Sequence, residues 1–136
     1  MLERALEISM ELLGEEHHAT ATILNNLASL VHDQGAYAEA HPLYERALEI
    51  RKTVLGEEHP DTANSLFVLA LLLKDQGAYA EARSLLERAL EITKQVFGEE
   101  HPYTKTVRTN LAYVERSETS GFFRGLLHRL LPRRSS

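Results

Sequence analysis

Three Glu-Glu-His sequences recur along this chain of 136 residues, at 15–17, 57–59 and 99–101. Carboxylate and imidazole groups bind metal ions and transfer protons, so these positions are the first candidates for chemistry. The copies are 42 residues apart, and we expect them to lie too far apart in space to share one metal ion. We therefore interpret each histidine as a helix-start or loop residue. Each pair of glutamates is interpreted as negative charge that complements the positive end of a helix.

Other catalytic patterns are missing from the sequence. It contains no cysteine, which removes thiol nucleophiles, disulfides, zinc ribbons and iron–sulfur sites. Its serines do not stand in a nucleophile-elbow motif, and there is no glycine-rich phosphate loop. We therefore predict a protein that is not an enzyme and that holds neither a cofactor nor a metal ion.

The charge is unevenly distributed along the chain. Residues 1–120 carry 11 Lys and Arg against 20 Asp and Glu, which gives −9, whereas residues 121–136 carry 4 arginines and no acid. An acidic body repels nucleic acid, so we expect no nucleic-acid partner. No apolar run approaches ~20 residues, and the N-terminus lacks the basic start of a signal peptide. These features favour a cytoplasmic protein without a transmembrane segment.

An internal repeat is the dominant feature of the sequence. Residues 14–55 and 56–97 are identical at 27 of 42 aligned positions, which chance does not produce. In residues 61–75 the apolar side chains are spaced three and four apart, as on one face of a helix. Pro60 suits the first position of that helix, and Gly77 suits the left-handed conformation that ends it. A helix pair this short cannot bury its apolar faces alone, so successive pairs must stack.

The repeat predicts six helices, at 1–13, 18–33, 37–55, 60–75, 79–97 and about 102–117. A further short amphipathic helix is expected at 121–131, stopped by Pro132. We divide the chain into a repeat region, 1–117, and an amphipathic basic C-terminal segment, 118–136. The repeat region comprises a partial repeat, two full repeats and a second partial repeat, at 1–13, 14–55, 56–97 and 98–117.

The spacing of small and apolar residues resembles the tetratricopeptide repeat, at Leu69, Ala70, Gly77, Tyr79, Ala82 and Ala89. The length of 42 residues and the sequence Leu-Gly-Glu-Glu-His-Pro at 55–60 are similar to the kinesin-light-chain type of this repeat. The resemblance implies an all-α, right-handed superhelical solenoid of antiparallel helix pairs, with 121–131 as a C-terminal capping helix. It also implies a protein–protein interaction module that binds a peptide segment of a protein partner.

In that family the first helix of each pair lines a concave wall, and the resemblance assigns the binding surface to side chains that avoid the core. The expected peptide-binding residues are Asn25, Asn26, Ser29, Asn64, Phe67, Val68, Leu71, Lys74, Thr106, Asn110, Tyr113 and Arg116. Asparagine amides, at 25, 26 and 110, suit a peptide backbone because they donate and accept hydrogen bonds. Lys74 and Arg116 suit acidic groups.

Phe67, Val68 and Leu71 stand where the first repeat has two asparagines and a serine. We expect these three apolar side chains to lie together on the wall and to take an apolar anchor of the partner. An exposed apolar cluster marks an interaction site, or else a surface covered by the protein's own C-terminus or by a neighbouring chain. Both interpretations stay open at the level of sequence.

The segment 121–131 places six Phe and Leu side chains on one half of a helix and Arg124, His128 and Arg129 on the other. Four roles are open for it: it caps the last repeat, makes a weak contact with an anionic membrane, enters the concave groove, or pairs with another chain. A second hypothesis for the whole chain is that it is the C-terminal piece of a longer array. The open apolar edge of such a piece, at 1–13, packs on the missing repeats or on a second copy in a homo-oligomer, and its C-terminal helix is the alternative route to a membrane surface.

Overall fold

Six α-helices and the short turns between them make up the described part of the chain, which comprises residues 2–14 and 17–131 of a computed structural model. The helices are α1 (Leu2–Leu13), α2 (His18–Asp33), α3 (Tyr37–Leu55), α4 (Pro60–Asp75), α5 (Tyr79–Phe97) and α6 (Pro102–Leu130). No strand occurs within these residues. The all-α fold predicted from the repeat is confirmed, and the bounds of α2 to α5 agree with the predicted spans.

The helices α2, α4 and α6 each begin at a histidine of the repeated Glu-Glu-His sequence. The Nδ1 atoms of His17, His59 and His101 each accept a hydrogen bond from the backbone N–H two residues ahead, at 3.0 Å. This bond satisfies one of the backbone donors that a helix start leaves without a partner. Pro60 and Pro102 follow directly, where a missing N–H costs nothing. The interpretation of these histidines as helix-start residues is confirmed.

Consecutive helices pack against one another along the chain, and alanines allow their backbones to approach closely. Ala28, Ala40, Ala70, Ala82 and Ala89 are fully buried, with 0% of their surface exposed. Because protein interiors are close-packed, a larger side chain at these positions has no room. Packing continues from each pair to the next, so the pairs form one stack, with a large apolar cluster from α2 to α6 and a smaller one between α2 and α3.

The C-terminal helix differs from the prediction. α6 runs without a break from Pro102 to Leu130, whereas we expected one helix to about 117 and a separate one at 121–131. The reason lies at the position that ends the equivalent helix of the preceding repeat. α4 is followed by Gly77, whose φ is +79°, and the position 42 residues later is Thr119, which stays helical. The two later glycines, Gly121 and Gly125, also lie inside the helix, so the two expected spans are joined.

The end of α6 is exposed on its apolar side. We call residues 119–131 the arm, and in it Phe122 is 68% exposed, Leu127 is 55% exposed and Leu130 is 70% exposed. The arm therefore shows neither the capping contact nor the insertion into the groove that were among its expected roles. Pro132, which was expected to stop the helix, lies outside the described residues. Across the described chain, no helix combines the length and the apolar character needed to cross a bilayer.

Two glycines with opposite backbone conformations test the account of the helix ends. An added Cβ would meet no atom within 4 Å at either Gly77 or Gly121. The substitution Gly77→Ala is expected to destabilise the protein by about 1–2 kcal/mol, because its positive φ is costly for an L-residue. The substitution Gly121→Ala, inside α6, is expected to stabilise it by about 0.5–1 kcal/mol. Urea unfolding midpoints measure both changes, and shifts of the same sign would contradict a helix that continues through residue 121.

Candidate peptide-binding surface

The helices α2, α4 and α6 lie side by side, and several of the residues expected to form the site connect them. Nδ2 of Asn25 donates a hydrogen bond to Oγ of Ser65 at 3.3 Å, which links α2 to α4. Nδ2 of Asn64 donates to the hydroxyl oxygen of Tyr103 at 3.4 Å, which links α4 to α6. We call the surface formed by these three helices the inner surface. The structure therefore brings expected site residues from successive repeats together.

A buried arginine at the end of α3 joins the helices α2 and α4. Its Nη1 donates hydrogen bonds to the Asp61 carbonyl oxygen at 3.1 Å, to Oδ1 of Asn64 at 3.3 Å and to Oγ of Ser65 at 3.0 Å. Its Nη2 donates to Oγ1 of Thr22 at 3.3 Å. This residue, Arg51, is only 6% exposed. Four neutral oxygens from two helices thus converge on one guanidinium group.

Among the described residues, no carboxylate lies within ion-pair distance of the Arg51 guanidinium group. Burial lowers the pKa of Arg51 below its ordinary value, but a guanidinium group stays protonated in proteins. Its Nε atom is buried without a hydrogen-bond partner in the described chain, and so is Oδ1 of Asn25. A positive charge therefore lies beneath the inner surface, hydrogen-bonded only to neutral oxygens, with the Asp61 carboxylate acting on it at longer range.

Arg51 is not among the site residues expected from the sequence. A signal was available, because this charged residue directly follows the buried Ile50 in a repeated Glu-Arg-Ala-Leu-Glu-Ile sequence. The second repeat has Thr93 at the same position, and that residue is also fully buried. A charge at a position that is buried in both repeats predicts a hydrogen-bonding role.

The expected exposed apolar cluster on α4 is only partly present. Phe67 is 9% exposed, and its ring packs edge-on against Tyr103 with the ring centroids 5.7 Å apart. The expectation of exposure is therefore wrong for Phe67, because the start of α6 covers it. Val68 and Leu71 are half-buried and pack at the margin of the core. Phe67 is thus covered by this protein's own chain. The covering residue belongs to the start of α6 and not to the segment 121–131.

The two asparagines of α2 have different environments. Asn25 is 8% exposed and its amide donor is bound to Ser65, so the expectation that both amides are free to hold a peptide is wrong for Asn25. Asn26 and Ser29 are exposed. The difference arises because neighbouring residues of a helix point about 100° apart. Position 25 faces α4, while position 26 faces outwards.

Lys74 lies between two side chains of α6. Its Nζ donates a hydrogen bond to Oδ1 of Asn110 at 3.3 Å and lies 5.4 Å from the centroid of the Tyr113 ring. An ammonium group above an aromatic face is held by a cation–π interaction. Nδ2 of Asn110 donates to the carbonyl oxygen of the exposed Thr106 at 3.0 Å, which fixes the orientation of the amide. No carboxylate of the described residues forms an ion pair with Lys74.

A cleft with a volume of about 450 Å³ continues the inner surface beyond Lys74. It is lined by Tyr79, Tyr113, Arg116, Ser117, Ser120, Gly121 and Arg124. Two arginines and two tyrosine side chains can hold an acidic group through charge and hydroxyl hydrogen bonds. Arg124, which the sequence placed on the polar half of a separate helix, lines this cleft because α6 is continuous.

The possibility of a metal site was raised by the Glu-Glu-His sequences. Within residues 2–14 and 17–131, no group of three or more His, Cys, Asp or Glu side chains converges in a way that could hold a metal ion. The first glutamate pair, at 15–16, lies outside these residues.

Comparison with known proteins assigns the family. Sequence models described as tetratricopeptide repeat match residues 20–61 and, in a second model, residues 42–95 and 68–119. The second model alone covers more than half of the chain. The chain belongs to the tetratricopeptide repeat family. A search of curated proteins finds no match to it.

Kinesin light chain-like proteins are among the solved structures with the same fold. A Podosopora anserina protein assigned as a kinesin light chain, with nearly identical TPR-like repeats, has a TM-score of 0.81 and 28% identity over 87% of this chain. BtubC (BKLC) from P. vanneervenii has a TM-score of 0.79 and 27% identity over 99% of this chain. This tetratricopeptide repeat chain spans 56% and 59% of the lengths of those two chains. The predicted solenoid of the kinesin-light-chain type is thereby confirmed.

The family gives a general function. Tetratricopeptide repeats are generally protein–protein interaction modules, and the kinesin light chain-like folds are typically scaffolds without enzymatic activity.

The hydrogen bonds of Arg51 give a testable consequence for stability. The substitution Arg51→Ala removes the hydrogen bonds from this charged donor to the Asn64 amide oxygen and the Ser65 hydroxyl, and a hydrogen bond to a charged group is worth about 1.5–3 kcal/mol. The free energy of unfolding is therefore expected to fall by that amount in urea titrations. The matched control is Arg116→Ala on the exposed part of α6, with an expected change within about 0.5 kcal/mol. Equal stabilities of the two variants would show that Arg51 does not hold α2 and α4 together.

Proposed function

We propose that the inner surface binds an extended, acidic segment of a partner protein. Lys74 is the residue whose environment supports this most strongly. Its ammonium group contacts a neutral amide and an aromatic ring in a chain with a net charge of −5, where carboxylates are the commoner charged group. A carboxylate of the partner can complete that environment with a charge-assisted hydrogen bond. Arg116 in the adjoining cleft provides a second cation for a second acidic group.

The remaining site residues receive roles from their exposure and contacts. Asn26, Ser29 and Thr106 are exposed polar residues, and we assign them to the backbone of the bound segment. Val68 and Leu71 are half-buried, and we assign them to one apolar side chain of the partner. Asn25, Asn64 and Phe67 support the surface from beneath, while Asn110 and Tyr113 position Lys74.

The affinity is expected to be modest. A surface built from three inner helices buries an area at the low end for protein interfaces, which corresponds to roughly micromolar binding. Electrostatic attraction contributes to it and is weakened by salt. We place the interaction in the cytoplasm, the location expected from the sequence.

A screen of short random peptides tests the proposal. Peptides that bind the chain are expected to be enriched in Asp and Glu, with an apolar residue nearby. The substitutions Lys74→Glu and Arg116→Glu are each expected to weaken binding of a selected acidic peptide by at least about tenfold, because each replaces an attraction with a repulsion. Fluorescence anisotropy measures the dissociation constant.

The matched control is Lys94→Glu, which makes the same change of charge at an exposed site on α5. It is expected to leave the dissociation constant within about twofold, since surface charges more than a Debye length apart are largely screened. A selected set of peptides without acidic enrichment, or an equal effect of all three substitutions, would contradict the proposal.

A second substitution series tests the apolar contact. The double substitution Val68→Ser with Leu71→Ser is expected to raise the dissociation constant of the same peptide by about tenfold, because one partly buried apolar contact is lost. Leu30→Ser, at a 48% exposed position on α2, is the control for a general loss of apolar surface. If the double variant unfolds at the same denaturant midpoint and binds normally, the anchor is not at Val68 and Leu71.

A further inference from the structure

The side of α6 that faces away from the repeats is charged. In α4, Ala63, Leu66 and Leu73 are buried, whereas the residues 42 positions later are Lys105, Arg108 and Glu115, all exposed. The helix α5 covers this side of α4, and in the described chain no later helix covers it on α6. We call Lys105, Arg108, Ala112 and Glu115 the end face. Charged residues there suit water or a polar surface rather than another apolar helix.

The arm adds an apolar surface that nothing in the described chain covers. The exposed fractions are 68% for Phe122, 55% for Phe123, 40% for Leu126, 55% for Leu127 and 70% for Leu130. Single exposed apolar residues are ordinary, but five on three successive turns form a patch of the kind that marks an interaction. Since the end face is already polar, the arm is not needed to close the edge of the repeats.

The continuity of α6 fixes the direction of this patch. The residues that pack on α5 are Thr104, Val107, Leu111 and Val114. At 3.6 residues per turn, the five apolar side chains of the arm point roughly 110° away from that packing side. They point within about 20° of the mean direction of the end face. The end face and the arm therefore form one surface along one side of the helix, which is charged with both signs at its start and apolar at its end.

We propose that this surface binds an anionic lipid bilayer, with the arm lying in the interface between headgroups and acyl chains. A Phe and Leu face flanked by Arg124 and Arg129 is typical of interfacial helices. After Glu118 the sequence contains no acid, and Arg108 adds positive charge on the same side, where Lys105 forms an ion pair with Glu100 at 3.3 Å. Anionic leaflets attract such clusters.

A second copy of the chain is the main competing occupant. Two arms packed face to face bring arginines of both copies together, and the arm offers no acid to pair with them. The outer side of α1 carries exposed acids, but its exposed large apolar residues among those described are only Ile8 and Leu12. Two apolar side chains of α1 are too few to cover the five exposed apolar side chains of the arm. Charge and apolar area therefore both favour the lipid surface.

Flotation of the 136-residue chain with lipid vesicles tests the proposal. The chain is expected to float with phosphatidylcholine–phosphatidylserine vesicles and to float much less with pure phosphatidylcholine vesicles. Each basic residue near an anionic surface raises partitioning about fivefold, so Arg108→Gln with Arg129→Gln should lower it about 25-fold. Phe123→Ser with Leu127→Ser should lower it by at least tenfold, in line with the lost apolar burial.

Matched controls keep the result interpretable. Arg4→Gln removes a cation and Leu12→Ser removes an exposed leucine at the opposite end of the chain, and neither is expected to change partitioning by more than about twofold. All altered side chains are exposed, and circular dichroism checks that each variant is folded. Normal flotation of the arginine double variant, or equal flotation with neutral vesicles, would overturn the electrostatic part of the proposal.

Two further outcomes would overturn it entirely. One is an absence of flotation with the anionic vesicles. The other is a dimer in light scattering that dissociates in the Phe123→Ser and Leu127→Ser variant, together with no lipid dependence, which would assign the arm to a second copy. The outcome is independent of peptide binding, because Lys74 and Leu71 are unchanged in all of these variants.

Discussion

The close approach of helix backbones at alanine positions is the constraint on which the rest of this structure depends. Ala28, Ala40, Ala70, Ala82 and Ala89 have no exposed surface, and they set the distance between neighbouring helices. Close spacing lets side chains of α2, α4 and α6 reach one another, as the contacts of Ser65 and Tyr103 show. The inner surface is thus a consequence of packing in the core. Its polar groups are ordered because the helices beneath them cannot move apart without opening cavities.

The helices were predictable from the sequence because their ends carry chemical signals. A histidine starts α2, α4 and α6, a proline follows it in α4 and α6, and a glycine follows each of α1 to α5. These signals act through local backbone hydrogen bonds. The apolar spacing then settled which face is buried. The same local reasoning explains the error at α6, where the absence of a glycine at Thr119 was visible in the sequence. The break in the repeat and the amphipathic segment that follows were interpreted there as a new helix, although a continuous helix can also present two different faces.

The details of the site were less predictable, because they depend on contacts between helices that are not adjacent in sequence. Whether Phe67 is exposed depends on Tyr103, which lies on the next inner helix. Whether Asn25 is free depends on Ser65, forty residues away. Such contacts follow from the curvature of the stack, which periodicity within one helix does not specify. Four of the expected site residues are at least partly exposed: Val68, Leu71, Lys74 and Tyr113. They support the expectation of a wall that is both apolar and basic.

The central claim is that the inner surface receives an acidic segment, and NMR titration tests it most directly. With a short peptide of alternating glutamate and leucine, the account predicts amide chemical-shift changes that concentrate on α2, α4 and the first half of α6, centred on Lys74 and Tyr113. Shifts that concentrate instead on α3 and α5, or that are absent at peptide concentrations well above the expected dissociation constant, would contradict it.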